Sequence, residues 1–202
     1  MNLRQLPNLI TGARVLLVLP LVWSLGDGNY RLALGIALTA GASDAFDGWL
    51  AKRYGWQTRI GSLLDPIADK LLLDASFVGL WLADAHGCAN VAGAGCAGAT
   101  AAPGWLAILV LARDVVIVAG AVVYNAMVAP VKGDPTLLSK ATTVAQIVLV
   151  LGLLVGLAWR PLPSAVSQAG IWVVAALTLA SGIDYVVRWG LRARRALRAK
   201  RQ

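Results

Sequence analysis

Four of the chain's ten acidic residues stand close together. They are Asp44, Asp47, Asp65 and Asp69, in the stretch SDAFDGWLAKRYGWQTRIGSLLDPIADK at 43–70. Spacings of three and four place the members of each pair on one helical face, so each pair can converge on one site. Carboxylates gathered in a low dielectric repel, and they either take up protons or need compensating cations. Oxygen-only ligands favour hard divalent ions, Mg²⁺ or Mn²⁺, and two such ions bring four carboxylates close to neutrality. Aspartates at a membrane interface also occur solvated or as helix caps, and Asp65 before Pro66 has the form of an N-cap with proline in the first turn. That reading leaves Asp44, Asp47 and Asp69 without a reason.

The residues between and around the aspartates extend the chemistry. Gly48, Ala51 and Gly61 are small, so a flat group can approach the backbone between the two segments, while Lys52, Arg53 and Arg59 place positive charge at the mouth. A two-metal site with a flat pocket and a cationic rim suits a nucleotide diphosphate. The same glycines also serve close helix packing in a membrane.

The elements that must position this constellation are apolar. The chain is 58% hydrophobic over 202 residues, with a mean hydropathy of +0.71. This is membrane-protein composition. Apolar runs give six candidate spans at about 9–26, 30–50, 61–83, 104–128, 140–158 and 165–187. Helices are the expected spanning form, since a lipid-exposed backbone must satisfy its own hydrogen bonds and no alternating barrel strands are seen. The expected fold is therefore all-α, a single membrane domain over 1–202, with breaks at GDGN (26–29), KGDP (132–135) and RPLPS (160–164).

An even span count puts both termini on one side. Arg4, Arg14, Lys52, Arg53, Arg59, Lys70, Lys132, Lys140 and the tail fall on that side, against Arg31 and Arg160 on the other. The positive-inside rule makes that side cytoplasmic, and the expected location is a bacterial inner membrane. The connector AKRYGWQTRIG is short enough to fold spans two and three as a hairpin, so the four carboxylates meet just inside the cytoplasmic interface.

The formal net charge is +8, and seven basic residues lie between Arg188 and Arg201. Directly after an apolar segment, the tail 188–202 reads as an anchor to anionic lipid rather than a nucleic-acid site. The loop at 84–104 is expected on the far side. Its Cys88 and Cys96 can pair in an oxidising periplasm or remain thiols, and His86 beside them makes only a weak metal site.

Written as a pattern, the acidic stretch is D-x2-D-G-x2-A-K-x8-G-x3-D-x3-D, carried by Asp44, Asp47, Gly48, Ala51, Lys52, Gly61, Asp65 and Asp69. Four aspartates and two glycines in this register arise by chance at on the order of one start in ten million. The pattern resembles the signature of the CDP-alcohol phosphatidyltransferase family, six-helix membrane enzymes that use Mg²⁺ or Mn²⁺. One departure is Lys52, where the family usually has arginine; lysine keeps the charge but lacks the bidentate fork, and Arg53 is a neighbouring substitute.

The resemblance implies a set of roles. Asp44, Asp47 and Asp65 are the principal metal ligands, and Asp69 is both ligand and general base. Gly48, Ala51 and Gly61, with Thr58, line the cytidine pocket. The implied reaction is attack of an acceptor hydroxyl on CDP-diacylglycerol with loss of CMP, and a homodimer is implied as well. LPNLITGARVLLVLPLV resembles the first helix of phosphatidylglycerophosphate and cardiolipin synthases of this family, with Asn8, Thr11 and Arg14 at helical spacing toward the site.

LARDVVIV, with Arg113 and Asp114, and PTLLSKATTVAQ, with Lys140, look more like the cardiolipin synthase branch, which uses phosphatidylglycerol, than like the branch using glycerol 3-phosphate. Arg113 and Lys140 are candidates to contact an acceptor phosphate; Arg113 and Asp114 are equally a structural ion pair. A cation or proton transporter also uses intramembrane carboxylates, but it needs a route to both faces, and this cluster stays on one.

Overall fold

The computed structural model describes residues 6–54, 61–85, 102–127, 136–160 and 162–199, with side-chain positions inside them for 12–43, 68–83, 102–120, 136–160 and 162–192. Among these residues the regular elements are six helices: α1 (Leu6–Gly26), α2 (Tyr30–Tyr54), α3 (Gly61–Ala85), α4 (Gly104–Met127), α5 (Leu137–Ala158) and α6 (Ser164–Ala199). The all-α expectation holds, and the helices fall on the six apolar runs. Two run further than their apolar stretches, α2 to Tyr54 and α6 to Ala199. Lys, Arg, Ala and Leu are strong helix formers, so nothing local stops either helix where hydropathy falls.

The ends are set by turn chemistry. Between α1 and α2, Gly28 takes φ of 75°, a conformation open to glycine at little cost. Asn29 then caps α2, its Oδ1 accepting from Leu32 N–H at 3.2 Å. At the start of α5, Thr136 Oγ1 accepts from Ser139 N–H at 3.2 Å. At the other end of that helix, Arg31 on α2 donates from Nε to the carbonyl of Ala158 at 3.1 Å, occupying an acceptor the helix leaves open.

α1 packs on α3 and α2, α2 also on α5, α3 on α4, and α6 lies against both α4 and α5. Leu21 and Leu25 of α1, Phe77 and Leu80 of α3, Leu106 of α4 and Leu154 of α5 are fully buried where these contacts meet. Polar stitches join the last three helices: Thr142 Oγ1 donates to the carbonyl of Leu177 at 3.2 Å, and Tyr185 OH to that of Ile117 at 2.8 Å.

The outward faces are apolar, with Leu19, Trp23, Ile108, Val118, Val148 and Trp172 all more than half exposed. Patches of this kind on a folded chain mark a lipid or protein partner. Among the described residues, Leu137–Ala158 and Ser164–Arg192 are long and apolar enough to cross a membrane.

Candidate active site

The two acidic pairs lie on α2 and α3, one helical turn apart within each pair. Asp69 is the member whose side chain is described. Arg14, from α1, donates through Nη1 to Asp69 Oδ1 at 2.5 Å; the arginine side chain is 2% exposed and the aspartate 44%. The side chains of Asn8, Asp44, Asp47, Gly48, Ala51, Lys52, Arg53, Gly61 and Asp65, and the whole of Thr58, Cys88 and Cys96, lie outside the described residues.

Asp69 opens onto a cavity of about 530 Å³ enclosed by α1 to α5. Among the described residues α2 and α3 make little direct contact and face one another across this space. One part of the wall is charged or polar, built from Arg14, Asp69, Lys70, Asp114, Ser76 and Gln146. The rest is apolar, with Leu38 of α2, Leu72 and Leu73 of α3, and Ile147 and Val150 of α5. A chamber with a charged end and a greasy flank suits an amphiphile with an anionic head.

The charged wall carries a second set of ion pairs. Lys70 Nζ on α3 meets Asp114 Oδ1 on α4 at 2.5 Å, and Arg113 Nη1 meets the same oxygen at 2.6 Å. Arg113 Nη2 donates to Ser139 Oγ of α5 at 2.9 Å and Ser181 Oγ of α6 at 2.7 Å. Four helices are thus tied through one guanidinium and one carboxylate, the structural ion pair anticipated for Arg113. Arg113 and the exposed Lys140 are not among the residues that line the cavity.

Lys70, Asp74 and Asp114 had no place in the site expected from the sequence. Asp74 follows Lys70 by one turn, and its Oδ1 is buried without a hydrogen-bond partner. Their signal was present all the same, as ionisable residues inside otherwise apolar runs.

No cluster of three or more histidine, cysteine or acidic groups occurs among the described residues, since three of the four aspartate side chains lie beyond them. The donor chemistry nonetheless fits a divalent ion: Asp69 presents a carboxylate oxygen to the cavity edge and already holds a cation there, the Arg14 guanidinium standing where positive charge is required.

The CDP-alcohol phosphatidyltransferase family model matches residues 4–180. A probable cardiolipin synthase (CMP-forming) of Drosophila melanogaster is 30% identical over 92% of this chain and 58% of its own length. A probable phosphatidylglycerophosphate synthase of Mycobacterium tuberculosis is 31% identical over 93% of this chain and 82% of its own. The human cardiolipin synthase (CMP-forming) is 26% identical over 92% of this chain and 61% of its own. The chain thus spans somewhat under two thirds of the two animal relatives and most of the mycobacterial one. With a family match that takes in both acidic pairs and the helices around the cavity, the chain belongs to the CDP-alcohol phosphatidyltransferase family, enzymes of phospholipid synthesis.

Proposed function

We propose that this chain is an integral membrane enzyme that transfers the phosphatidyl group of CDP-diacylglycerol to the hydroxyl of a glycerol-type acceptor and releases CMP. The observation that carries the proposal is the cavity between α2 and α3, with Asp69 at its charged end and an apolar flank beside it. Family membership replaces the ion-transport alternative.

The residues divide the work by position. Asp69 takes the proton of the acceptor hydroxyl; the oxygen so freed forms a bond to the lipid-side phosphorus as the bond from that phosphorus to the CMP oxygen breaks. Lys52 and Arg53 would bind the diphosphate, and Gly48, Ala51, Gly61 and Thr58 would form the cytidine pocket, together with Asn8. Asp44, Asp47, Asp65 and Asp69 would hold two Mg²⁺ or Mn²⁺ ions, which when bound neutralise the diphosphate and the charge gathering on the leaving phosphate. The apolar flank of α2 and α5 keeps the acyl chains of the donor out of water.

The acceptor we favour is phosphatidylglycerol, from the LARDVVIV and PTLLSKATTVAQ segments and a cavity wall that is apolar over much of its area; glycerol 3-phosphate is the second candidate, and Arg113 and Lys140, the partners the sequence suggests for its phosphate, stand outside the cavity lining. The outward apolar faces of α1, α4, α5 and α6 support a bundle of six spans in a bacterial inner membrane, termini and site on the cytoplasmic side, the basic end of α6 against anionic lipid, and a homodimeric assembly.

The test is to offer purified protein CDP-diacylglycerol, Mg²⁺ or Mn²⁺ and each acceptor separately, and to measure CMP and the lipid formed. Asp69→Asn is expected to lower turnover by about 10²-fold or more in protein that keeps its helical circular-dichroism spectrum. A fully active Asp69→Asn enzyme removes Asp69 as the base, and no CMP with either acceptor removes the proposal.

A further inference from the structure

The cavity wall carries one buried amide that the proposed reaction leaves unused. Gln146, on α5, is 2% exposed and lines the cavity beside Ile147 and Val150. Its Nε2 donates to Thr178 Oγ1 of α6 at 3.3 Å, and Thr178 is itself fully buried. A neighbouring helix thus fixes the plane of the amide and leaves Oε1 pointing away from that hydroxyl. Among the described residues Oε1 accepts no hydrogen bond, and it is not one of the polar atoms sealed in the interior. A carbonyl oxygen held this way in an apolar wall costs free energy unless a ligand supplies the donor.

Two hydroxyls of the same wall, Thr143 and Ser76, share the bias. Thr143 Oγ1 donates to the carbonyl of Ser139 at 3.2 Å and Ser76 Oγ to that of Leu72 at 2.8 Å, so both protons are spent within their own helices. Only lone pairs remain for a ligand. This part of the wall therefore offers acceptors and asks for donors. Acyl chains have none, and the ester and phosphate oxygens of a lipid only accept. The donors of the nucleotide belong to cytidine, whose expected residues Gly48 and Ala51 lie about 9 and 14 Å of helix rise past Ala42, which lines the cavity. What remains is a hydroxyl of the acceptor.

A glycerol-type acceptor carries two hydroxyls, a terminal one that attacks and a secondary one that does not. Resting on the phosphatidyl-transfer reading above, we infer that Gln146 Oε1 accepts a hydrogen bond from the secondary hydroxyl, which makes Gln146 a specificity-determining residue for glycerol-type alcohols. Asp69 and Gln146 face one cavity of about 530 Å³, roughly 10 Å across if taken as a sphere, a span that a glycerol unit and two side chains fill. Holding the secondary hydroxyl restricts rotation of the glycerol unit and keeps its terminal hydroxyl toward Asp69. An alcohol lacking the second hydroxyl leaves Oε1 unanswered and is disfavoured. The recognised chemistry is common to the head of phosphatidylglycerol and to glycerol 3-phosphate.

The experiment uses the full chain in detergent with CDP-diacylglycerol and Mn²⁺, and CMP release gives kcat/KM for matched acceptors. Glycerol 3-phosphate is compared with 3-hydroxypropyl phosphate, and phosphatidylglycerol with its propane-1,3-diol counterpart. The second member of each pair keeps the terminal hydroxyl and lacks the secondary one. Wild type is expected to prefer the glycerol member of one pair by about tenfold or more. The pair that shows the preference tells whether the hydroxyl comes from a lipid head or from free glycerol phosphate. In Gln146→Leu, kcat/KM should fall about tenfold further for the glycerol member than for its partner, bringing the two within about threefold of each other. A side chain needed only for packing would lower both members alike.

Wild-type enzyme that uses both members of each pair equally well overturns the proposal. So does a Gln146→Leu enzyme that keeps the preference, or that loses activity toward both members to the same degree. Should Gln146→Leu fail to fold, Gln146→Leu combined with Thr178→Val removes both ends of the buried hydrogen bond and is read in the same way. The two levels of inference separate cleanly. No CMP with any acceptor refutes phosphatidyl transfer itself, whereas CMP release without preference for the glycerol member refutes the role of Gln146 alone.

Discussion

Replacing Asp114 by asparagine tests whether the ion pairs behind the cavity hold the bundle together. The carboxylate is 11% exposed and serves two cations through one oxygen, Lys70 at 2.5 Å and Arg113 at 2.6 Å. The cations differ in what remains to them when it is neutralised. Lys70, at 36% exposure, reaches solvent or lipid headgroups; Arg113, at 4%, keeps two serine hydroxyls as its hydrogen-bond partners among the described residues. A buried charge stripped of its partner costs about 3–5 kcal/mol, so Asp114→Asn should lose that much stability.

Lys70→Met leaves Asp114 still paired with Arg113 and should lose about 1 kcal/mol, the scale of a partly exposed pair. Exchanging both buried partners at once, Arg113→Met with Asp114→Leu, leaves no unpaired charge in the interior and should restore about half of the loss seen in Asp114→Asn. Thermal or dodecyl-sulfate unfolding in detergent micelles gives the ordering. The reasoning is refuted if Asp114→Asn unfolds within about 1 kcal/mol of wild type, or if Lys70→Met is as damaging.

Two further outcomes follow from packing and from donor chemistry. A side chain at Gly79 would meet Leu25, which is fully buried and so has little room to give, and Gly79→Val should cost about 1–3 kcal/mol in the same unfolding assay. Chelation with excess EDTA should abolish CMP release, and added Mg²⁺ or Mn²⁺, but not Ca²⁺ at equal concentration, should restore it; activity that survives chelation contradicts an all-carboxylate metal site.

The helices and the acidic motif could be read from the sequence because both are local properties. An apolar run long enough to span needs no partner to be recognised, and the spacing within 44–47 and 65–69 fixes a shared face whatever the helices pack against. The GDGN break was equally local, resting on a glycine that takes positive φ and an asparagine that caps. The links from Arg14 to Asp69, Lys70 to Asp114 and Arg113 to Ser181 join residues 44 to 68 positions apart. Nothing in sequence spacing selects such partners; only the packing of α3 against α1 and α4, and of α6 against α4, brings them together. Asp74 was overlooked for a related reason, since it lies off the four-residue beat of Asp65 and Asp69. The run of α6 through the basic tail is invisible to hydropathy, which falls there although arginine and alanine sustain a helix well.

That long last helix has a mechanical side. Its 36 residues make a rod about 54 Å long, against a hydrocarbon layer of about 30 Å, so much of it projects beyond the bilayer or leans within it. Ser181 sits at the midpoint, held by the Arg113 guanidinium. A stiff beam held over its central stretch swings its two ends in opposite senses, so a pull on the arginine-studded end by a charged surface arrives at the far end reversed, and the torque is shared by Ser181 with the ties at Leu177 and Tyr185.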